Sequence, residues 1–271
     1  MYGIKAAMTA RYWKDLTTED FAALDGARTV AVLPLGATEQ HGPHLPLSTD
    51  CVIGAGILQR AVDLAPMEVP LLVMPAYPVG LSPEHRDFPG TLNLSPETLL
   101  RLVIETAEGV ARAHLRKLIL FNSHGGQPQA LELAAQELRA SRSMVVVVAN
   151  SWRLMRPGEF FPPGERETGI HAGAIETSLM LHLQPGLVRR DKIAHFPSAA
   201  STLERDHPEM ASAGRLHFAW QAQDLNPTGA VGDARLATAA AGKALVDQAA
   251  RGLLALAADL SRLPLEMLKS R

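Results

Sequence analysis

The sequence predicts an α/β protein in which helices cover both faces of a mainly parallel central sheet, and three observations predict it. Short apolar, β-branched runs alternate along the chain with stretches of helical periodicity. The runs are hydrophobic throughout, the pattern of strands buried on both faces. Two of them lead directly into polar, glycine-containing clusters, where loops at the carboxyl ends of a parallel sheet diverge to form a crevice.

Thr29 to Leu35, ending in Gly36, reads as a buried strand followed by a loop. From Asp50 to Leu64 apolar residues recur with helical spacing, with Thr49 or Asp50 as the cap. Val69 to Pro75 is a second strand, and Pro70 must sit at its beginning or edge. Tyr77 to Leu94 is too irregular for an element and long enough to be an active-site loop. Ser95-Pro96-Glu97 supplies a cap, a first-turn proline and a dipole-matched acid for a helix running to about His114. Lys117 to Asn122 follows as a strand, Gln129 to Ala140 as a helix, and Ser143 to Asn150 as the clearest strand of the chain. Beyond it, Gly173 to Leu183 suggests a helix, Glu204 to Asn226 has no clear pattern, and Asp233 to Leu263 is alanine-rich and helical. With no repeat, low-complexity tract or linker, residues 1–271 read as one domain.

Composition narrows the function. A formal net charge of −2, with no run of like charges, gives a nucleic-acid partner no support. Cys51 is the only cysteine, which rules out an intramolecular disulfide and a thiolate zinc site and points to the cytoplasm. Met1 to Asp15 lacks the apolar core of a signal peptide. No apolar stretch approaches the roughly eighteen residues needed to span a bilayer, so no membrane partner is expected.

Three polar clusters could carry chemistry. Thr38-Glu39-Gln40-His41-Gly42-Pro43-His44, with Ser48-Thr49-Asp50, follows the first strand. In extended backbone Glu39 and His41 share a face, and Asp50 at the start of the next helix returns a carboxylate to the same place. Asn122-Ser123-His124-Gly125-Gly126-Gln127 follows the strand ending at Asn122. His171-Ala172-Gly173-Ala174-Ile175-Glu176 opens a later helix, with Glu176 one turn from the histidine. Taken singly, each has a plainer reading: Glu39 and Asp50 as caps or surface acids, His124 as a turn histidine, Glu176 as a dipole-matched acid. Together they make a set of imidazole and carboxylate ligands suited to two divalent ions per subunit, zinc, manganese or iron, that activate water for amide cleavage. Glu39, His41, Asp50, His124 and Glu176 are the expected ligands, and His171, with Glu176, the expected proton-transfer group. Ser82, Glu84, His85, Gly125 and Trp152 are expected to contact substrate, although Glu84 and Arg86 could equally bind each other. A metal-dependent isomerase or lyase and a non-catalytic binding protein are the competing classes.

These clusters, with the Glu84 to Thr91 loop and Gly229 to Asp233, resemble the creatininase, or creatinine amidohydrolase, family over most of the chain. The resemblance implies a three-layer α/β/α sandwich, assembly as a homo-oligomer, often a hexamer, and a small-molecule amide substrate. It also implies that Glu39, Asp50 and His124 hold one ion, that His41 and a bridging Asp50 hold the other, and that His171 transfers the proton. Creatininase itself has a tyrosine and a metal-binding glutamate where this chain has Gly125 and Gly126, so a second-site ligand is missing from its expected place. Glu176 or water would complete that ion, or only one metal is held firmly. The Gly-Gly form looks more like branches acting on other substrates, such as formamidopyrimidine deformylases and the peptidase that trims the mycofactocin precursor.

Overall fold

The computed structural model describes residues 11–207, 209 and 218–269. In chain order its elements are α1 (Thr18–Ala23), β1 (Val30–Leu35), α2 (Thr49–Leu64), β2 (Leu71–Val73), α3 (Pro96–Arg112), β3 (Lys117–Asn122), α4 (Pro128–Arg142) and β4 (Val145–Asn150). These are followed by α5 (Pro163–Thr168), α6 (Ala174–Leu183), β5 (His195–Phe196), α7 (Ala200–Asp206), α8 (Ala222–Leu225), β6 (Gly232–Asp233) and α9 (Ala239–Arg262).

The first four strands form a parallel sheet in the order β2-β1-β3-β4. The chain leaves β1 for β2 on one side and then crosses to β3 on the other, so the order reverses beside β1 and opens a crevice at the carboxyl ends. Register aligns those ends: Leu35 lies opposite Asn122, and Asn122 opposite Asn150. Strand periodicity divides the core. Val30, Val32, Ile119 and Phe121 pack against α2, α6 and α9, while Ala31, Leu33, Leu118 and Leu120 pack against α3 and α4. This is the expected layered α/β architecture, with β5 and β6 as a small antiparallel pair outside the main sheet.

Several boundaries differ from the sequence pattern for local reasons. Ser48 occupies the cap position of α2, and the Thr49 hydroxyl donates to the Pro46 carbonyl, so neither Thr49 nor Asp50 caps the helix as expected. The Asp50 carboxylate is thereby left for other partners. At α3 the expected cap holds, with Ser95 Oγ accepting from the Thr98 N–H at 3.1 Å. Ser143 closes α4 in a left-handed conformation (φ 50°), which delays β4 to Val145. Residues 233–238 form a β6 residue and a short 3-10 turn, with α9 starting only at Ala239 behind the Thr238 cap. A capping box of Thr17 and Asp20 makes α1, which the apolar pattern did not reveal. Of the segment from Glu204 to Asn226, α7 ends at Asp206 and α8 begins at Ala222, while residues 208 and 210–217 lie outside the described residues. Among the described residues no helix is long and apolar enough to cross a membrane.

Candidate metal centre

After β1 the chain turns at Gly36 and folds tightly through Gly42 (φ 66°), which sends Glu39 and His41 inward above the sheet. Asp50 reaches the same point from the first turn of α2, His124 from the loop after β3, and His171 and Glu176 from the entry to α6. Ala172, between them, adopts a left-handed φ of 55°, and its N–H donates to Glu176 Oε2. The same entry loop is clamped by buried Glu165, which accepts from Ala174 N–H and from Asp233 N–H, each at 2.6 Å.

Hydrogen-bond partners assign the tautomer of each histidine. His41 Nδ1–H donates to the Glu39 carbonyl at 3.1 Å, leaving Nε2 bare, 3.4 Å from Asp50 Oδ1 and 3.8 Å from Glu176 Oε2. His124 Nε2–H donates to the Leu81 carbonyl at 2.7 Å, leaving Nδ1 at 3.2 Å from both Glu39 Oε1 and Asp50 Oδ2. His171 Nε2–H donates to the Gln40 carbonyl at 2.7 Å, so its Nδ1 faces Glu39 Oε1 at 3.9 Å. The His171 ring is held between those of His41 and His85, with centroids 4.2 Å from each.

Three buried atoms in this cluster, Glu39 Oε2, His41 Nε2 and Asp50 Oδ2, have no hydrogen-bond partner. Buried acceptors left so would be costly in a dry protein, and here they converge. The spacings are those of shared coordination, since donors about 2.1 Å from a tetrahedral ion stand about 3.4 Å apart. The ligand atoms fall into Glu39, Asp50 and His124 on one side and His41, Asp50 and Glu176 on the other, each group within 4.8 Å, with Asp50 common to both. A third grouping joins Glu39, His41 and His171. Imidazoles held by backbone carbonyls on their far nitrogens are the arrangement that orients metal-ligating histidines. The donor set fits two divalent ions.

Electrostatics agrees. Burial opposes the protonation of His41, but the Asp50 carboxylate, with Glu176 and Glu39, overcomes it and raises the pKa to about 9. Burial likewise opposes His124, whose pKa is nonetheless carried well above the usual histidine range by Glu39 and Asp50. Glu176 is pushed up to about 7 by burial and by Asp50. A pocket holding three carboxylates draws positive charge from whatever source is present. His171, by contrast, is lowered to about 4 by burial and by His41.

Of the expected substrate contacts, Ser82 Oγ lies 3.3 Å from His124 Nε2 and buried His85 lies 3.5 Å from Glu39 Oε1, both against the cluster. Gly125 is exposed, and a Cβ added there would meet nothing within 4 Å. Half-buried Glu84 lays its carboxylate over Gly126, where a Cβ would strike it and stand 2.7 Å from His124 Nε2. Arg86 lies 3.8 Å from Asp87. Trp152, 40 % exposed on the turn after β4, stays outside the bonded cluster.

Uncharged amides supply what the sequence reading missed. Gln40 Nε2 donates to His85 Nδ1 at 2.8 Å and to the Gly229 carbonyl at 2.9 Å. Asn122 accepts from His124 N–H and from Gln127 Nε2 and donates to Asn150 Oδ1, tying the ends of β3 and β4 to the His124 loop. Gln40, Asn122 and Gln127 lie within the quoted motifs and Asn150 ends the strand from Ser143, but an amide has no charge or titration to mark it.

Comparisons with known proteins agree in kind. The family profile described as creatinine amidohydrolase matches residues 14–257. The chain is 34 % identical over 230 residues to the mycofactocin precursor peptide peptidase of Mycobacterium tuberculosis, covering 81 % of this chain and 82 % of that one. It is 31 % identical over 202 residues to the creatinine amidohydrolase of Pseudomonas putida, covering 68 % and 76 %. A creatininase variant solved in a zinc–zinc form superposes with a TM-score of 0.72 at 26 % identity, covering 91 % of this chain and 96 % of that one.

Proposed function

The chain belongs to the creatinine amidohydrolase family, and on that premise we propose that residues 1–271 act as one metal-dependent domain that hydrolyses a C–N bond of a small linear or cyclic amide or formamide. The carrying observation is the convergence of the three unpartnered buried donors Glu39 Oε2, His41 Nε2 and Asp50 Oδ2. Glu39, Asp50 and His124 Nδ1 would hold one ion, and His41 Nε2, Asp50 and Glu176 the other. Glu176 thus takes the place of the ligand that Gly126 does not provide. When bound, such ions lower the pKa of water and polarise a carbonyl.

The chain's own residues do the rest. His171, its Nε2–H fixed on the Gln40 carbonyl, presents Nδ1 to the site. Neutral at physiological pH, it accepts a proton from the attacking water there and returns it to the departing nitrogen. Its burial among His41, His85 and Gln40 keeps bulk water from that proton. Ser82 Oγ and Glu84 line the approach and offer polar contacts to the substrate.

One observation favours a peptide within this class. The open floor at Gly125 leaves room for an extended chain to lie against the loop, and a relative 34 % identical is a peptide peptidase.

The test is elemental analysis of the purified protein and of Asp50→Ala, together with assays on cyclic amides, formamides and short peptides in ¹⁸O water. The native chain is expected to bind two equivalents of divalent metal and to place solvent ¹⁸O in a carboxylate product, with Asp50→Ala folded but lacking both. A variant that keeps both equivalents sinks the bridging role of Asp50. A product without ¹⁸O points instead to an isomerase or lyase.

A further inference from the structure

His44, three residues beyond His41, is buried and takes no part in the ligand groups. It reaches the interior because Gly42 turns left-handed at φ 66°, where a Cβ would stand 2.6 Å from that of Ala230. Three other parts of the chain hold it. Its ring stacks on Phe196 of β5 with centroids 5.2 Å apart, and its carbonyl accepts from the Arg189 N–H at 2.9 Å. Its Nε2 lies 2.9 Å from Thr177 Oγ1 on α6, while Nδ1 has no partner. A buried N–H without a partner is rarer than an unsatisfied acceptor, so the ring carries its proton on Nε2 and donates it to Thr177.

The Thr177 hydroxyl, accepting that proton, keeps its own hydrogen for the Ala172 carbonyl at 3.5 Å. It reaches past the carbonyl one turn back in the helix, that of Gly173, which takes the Thr177 N–H instead. The contact therefore ends on the left-handed residue at the entry to α6, a conformation that alanine avoids. The peptide before Ala172 is pinned on both sides: the His171 carbonyl accepts from the Val231 N–H, and the Ala172 N–H donates to Glu176 Oε2. The peptide after it is pinned through its carbonyl by Thr177. Holding both peptides holds the turn between them, and with it Glu176 Oε2, 3.8 Å from His41 Nε2.

We propose that His44 is a positioning residue for the ion assigned to His41, Asp50 and Glu176. Acting through Thr177, it keeps the Ala172 turn in the left-handed form that aims the Glu176 carboxylate at that ion. Each part of this strut adjoins a ligand: His44 shares the Gly42 turn with His41, Thr177 directly follows Glu176, and Ala172 bonds Glu176 itself. Partners that fix a ligand from behind in this way tune metal affinity without touching the metal. The ion rests on the metal-dependent reading proposed above, whereas the strut stands in the metal-free chain and can be tested there.

Two measurements on the full chain test it. His44→Phe keeps a ring against Phe196 but removes the donor, Thr177→Val removes the hydroxyl at nearly constant volume, and Thr177→Ser keeps the hydroxyl. In metal-free protein, His44→Phe and Thr177→Val are expected to speed hydrogen exchange from His171 to Ala174 by about tenfold or more, with α9 unchanged and Thr177→Ser near native. In calorimetric titration with Mn²⁺, the native chain is expected to bind two equivalents. His44→Phe and Thr177→Val should bind the first like the native chain and the second about tenfold or more weakly. Their double variant should be no weaker than either single, because both cut one strut. Exchange that rises equally in α9, two equivalents weakened alike, or Thr177→Ser behaving like Thr177→Val makes the role one of general stability and overturns the proposal. Variants that bind both equivalents like the native chain overturn this proposal alone. A native chain that takes up no Mn²⁺ overturns the metal-dependent reading, and the positioning role falls with it.

Discussion

At the scale of single residues the proposed centre rests on three imidazoles, His41, His124 and His171, each with one nitrogen committed to a backbone carbonyl and the other turned toward the carboxylates. His171→Gln should therefore lower kcat by about 10²-fold or more while metal content stays near native, since proton transfer is lost and the ligand set is not. Metal analysis beside steady-state kinetics decides this, and a variant that loses its metal in parallel makes His171 a ligand instead. Gly126→Ala is the reciprocal case. Its Cβ would strike the Glu84 carboxylate and press on His124, so activity should fall while the melting temperature drops by little. Equal losses in both would make Gly126 a structural position only. The ligand candidates were legible because carboxylate and imidazole residues clustered behind apolar strands, and Glu176 was among the residues offered for the vacant second-site position. Gln40, Asn122, Gln127 and Asn150 were not, because their work is to present or fix other side chains and nothing in residue type announces it. The supposed cap role of Asp50 failed for a related reason: Ser48 took the cap position and left the carboxylate to the site.

At the scale of elements the long strands and helices were legible wherever burial imposes a period. β1 and β3 matched their apolar runs because both faces are covered, β4 matched from Val145 on with its four valines half-buried, and α2, α3, α4, α6 and α9 matched their helical spacing. The short elements α1, α5 and α7 rest on caps, turns and single clamps instead of an apolar stripe, and periodicity does not reach them. One contact between elements links strand to helix end. Buried Lys117, at the start of β3, donates its ammonium to the Ser261 and Leu263 carbonyls at the carboxyl end of α9. It satisfies carbonyls the helix cannot bond itself and lies at the negative end of its dipole. Lys117→Met should destabilise the fold by about 1–3 kcal/mol, read from denaturant midpoints, because it leaves those buried carbonyls without a donor. A midpoint equal to the native one would mean water replaces the ammonium at no cost. The entry to α6 gives the opposite expectation. Ala172→Gly relieves a left-handed alanine and should keep or raise stability, yet it frees the link between His171 and Glu176 and should lower kcat.

At the scale of the whole molecule, the proposed function sets protons and metal ions in competition for one buried well of negative charge. His41 without metal holds its proton up to about pH 9, so every ion bound there must expel it. Apparent metal affinity should therefore rise with pH from 6 to 9, and calorimetric titration in buffers of different ionisation enthalpy should register proton release. The metal-free fold must follow the same groups. His41 and His124 have folded pKa values raised above the unfolded 6.5, so their contribution to stability is full below that value and is lost as pH rises, for His41 through about 9. His171 and His44, both lowered to about 4, and His85, also lowered, first of all by burial, refuse protons that the unfolded chain accepts. Their contribution is lost as pH falls from 6.5 toward 4. Glu176, raised to about 7 mainly by burial, works against these three between 4.5 and 7 but is one group against three. The melting temperature of the metal-free protein should then peak near about pH 6.5 and decline on both sides. Bound ions remove the alkaline limb, because they keep compensating Glu39, Asp50 and Glu176 above the pH at which His41 gives up its proton. Thermal melts across pH 4 to 10, with and without chelator, check this directly. A metal-free protein whose melting temperature climbs from pH 7 to 9 would show that the carboxylates are compensated by something other than these histidines, and the case for a cation-binding centre would lose its electrostatic support.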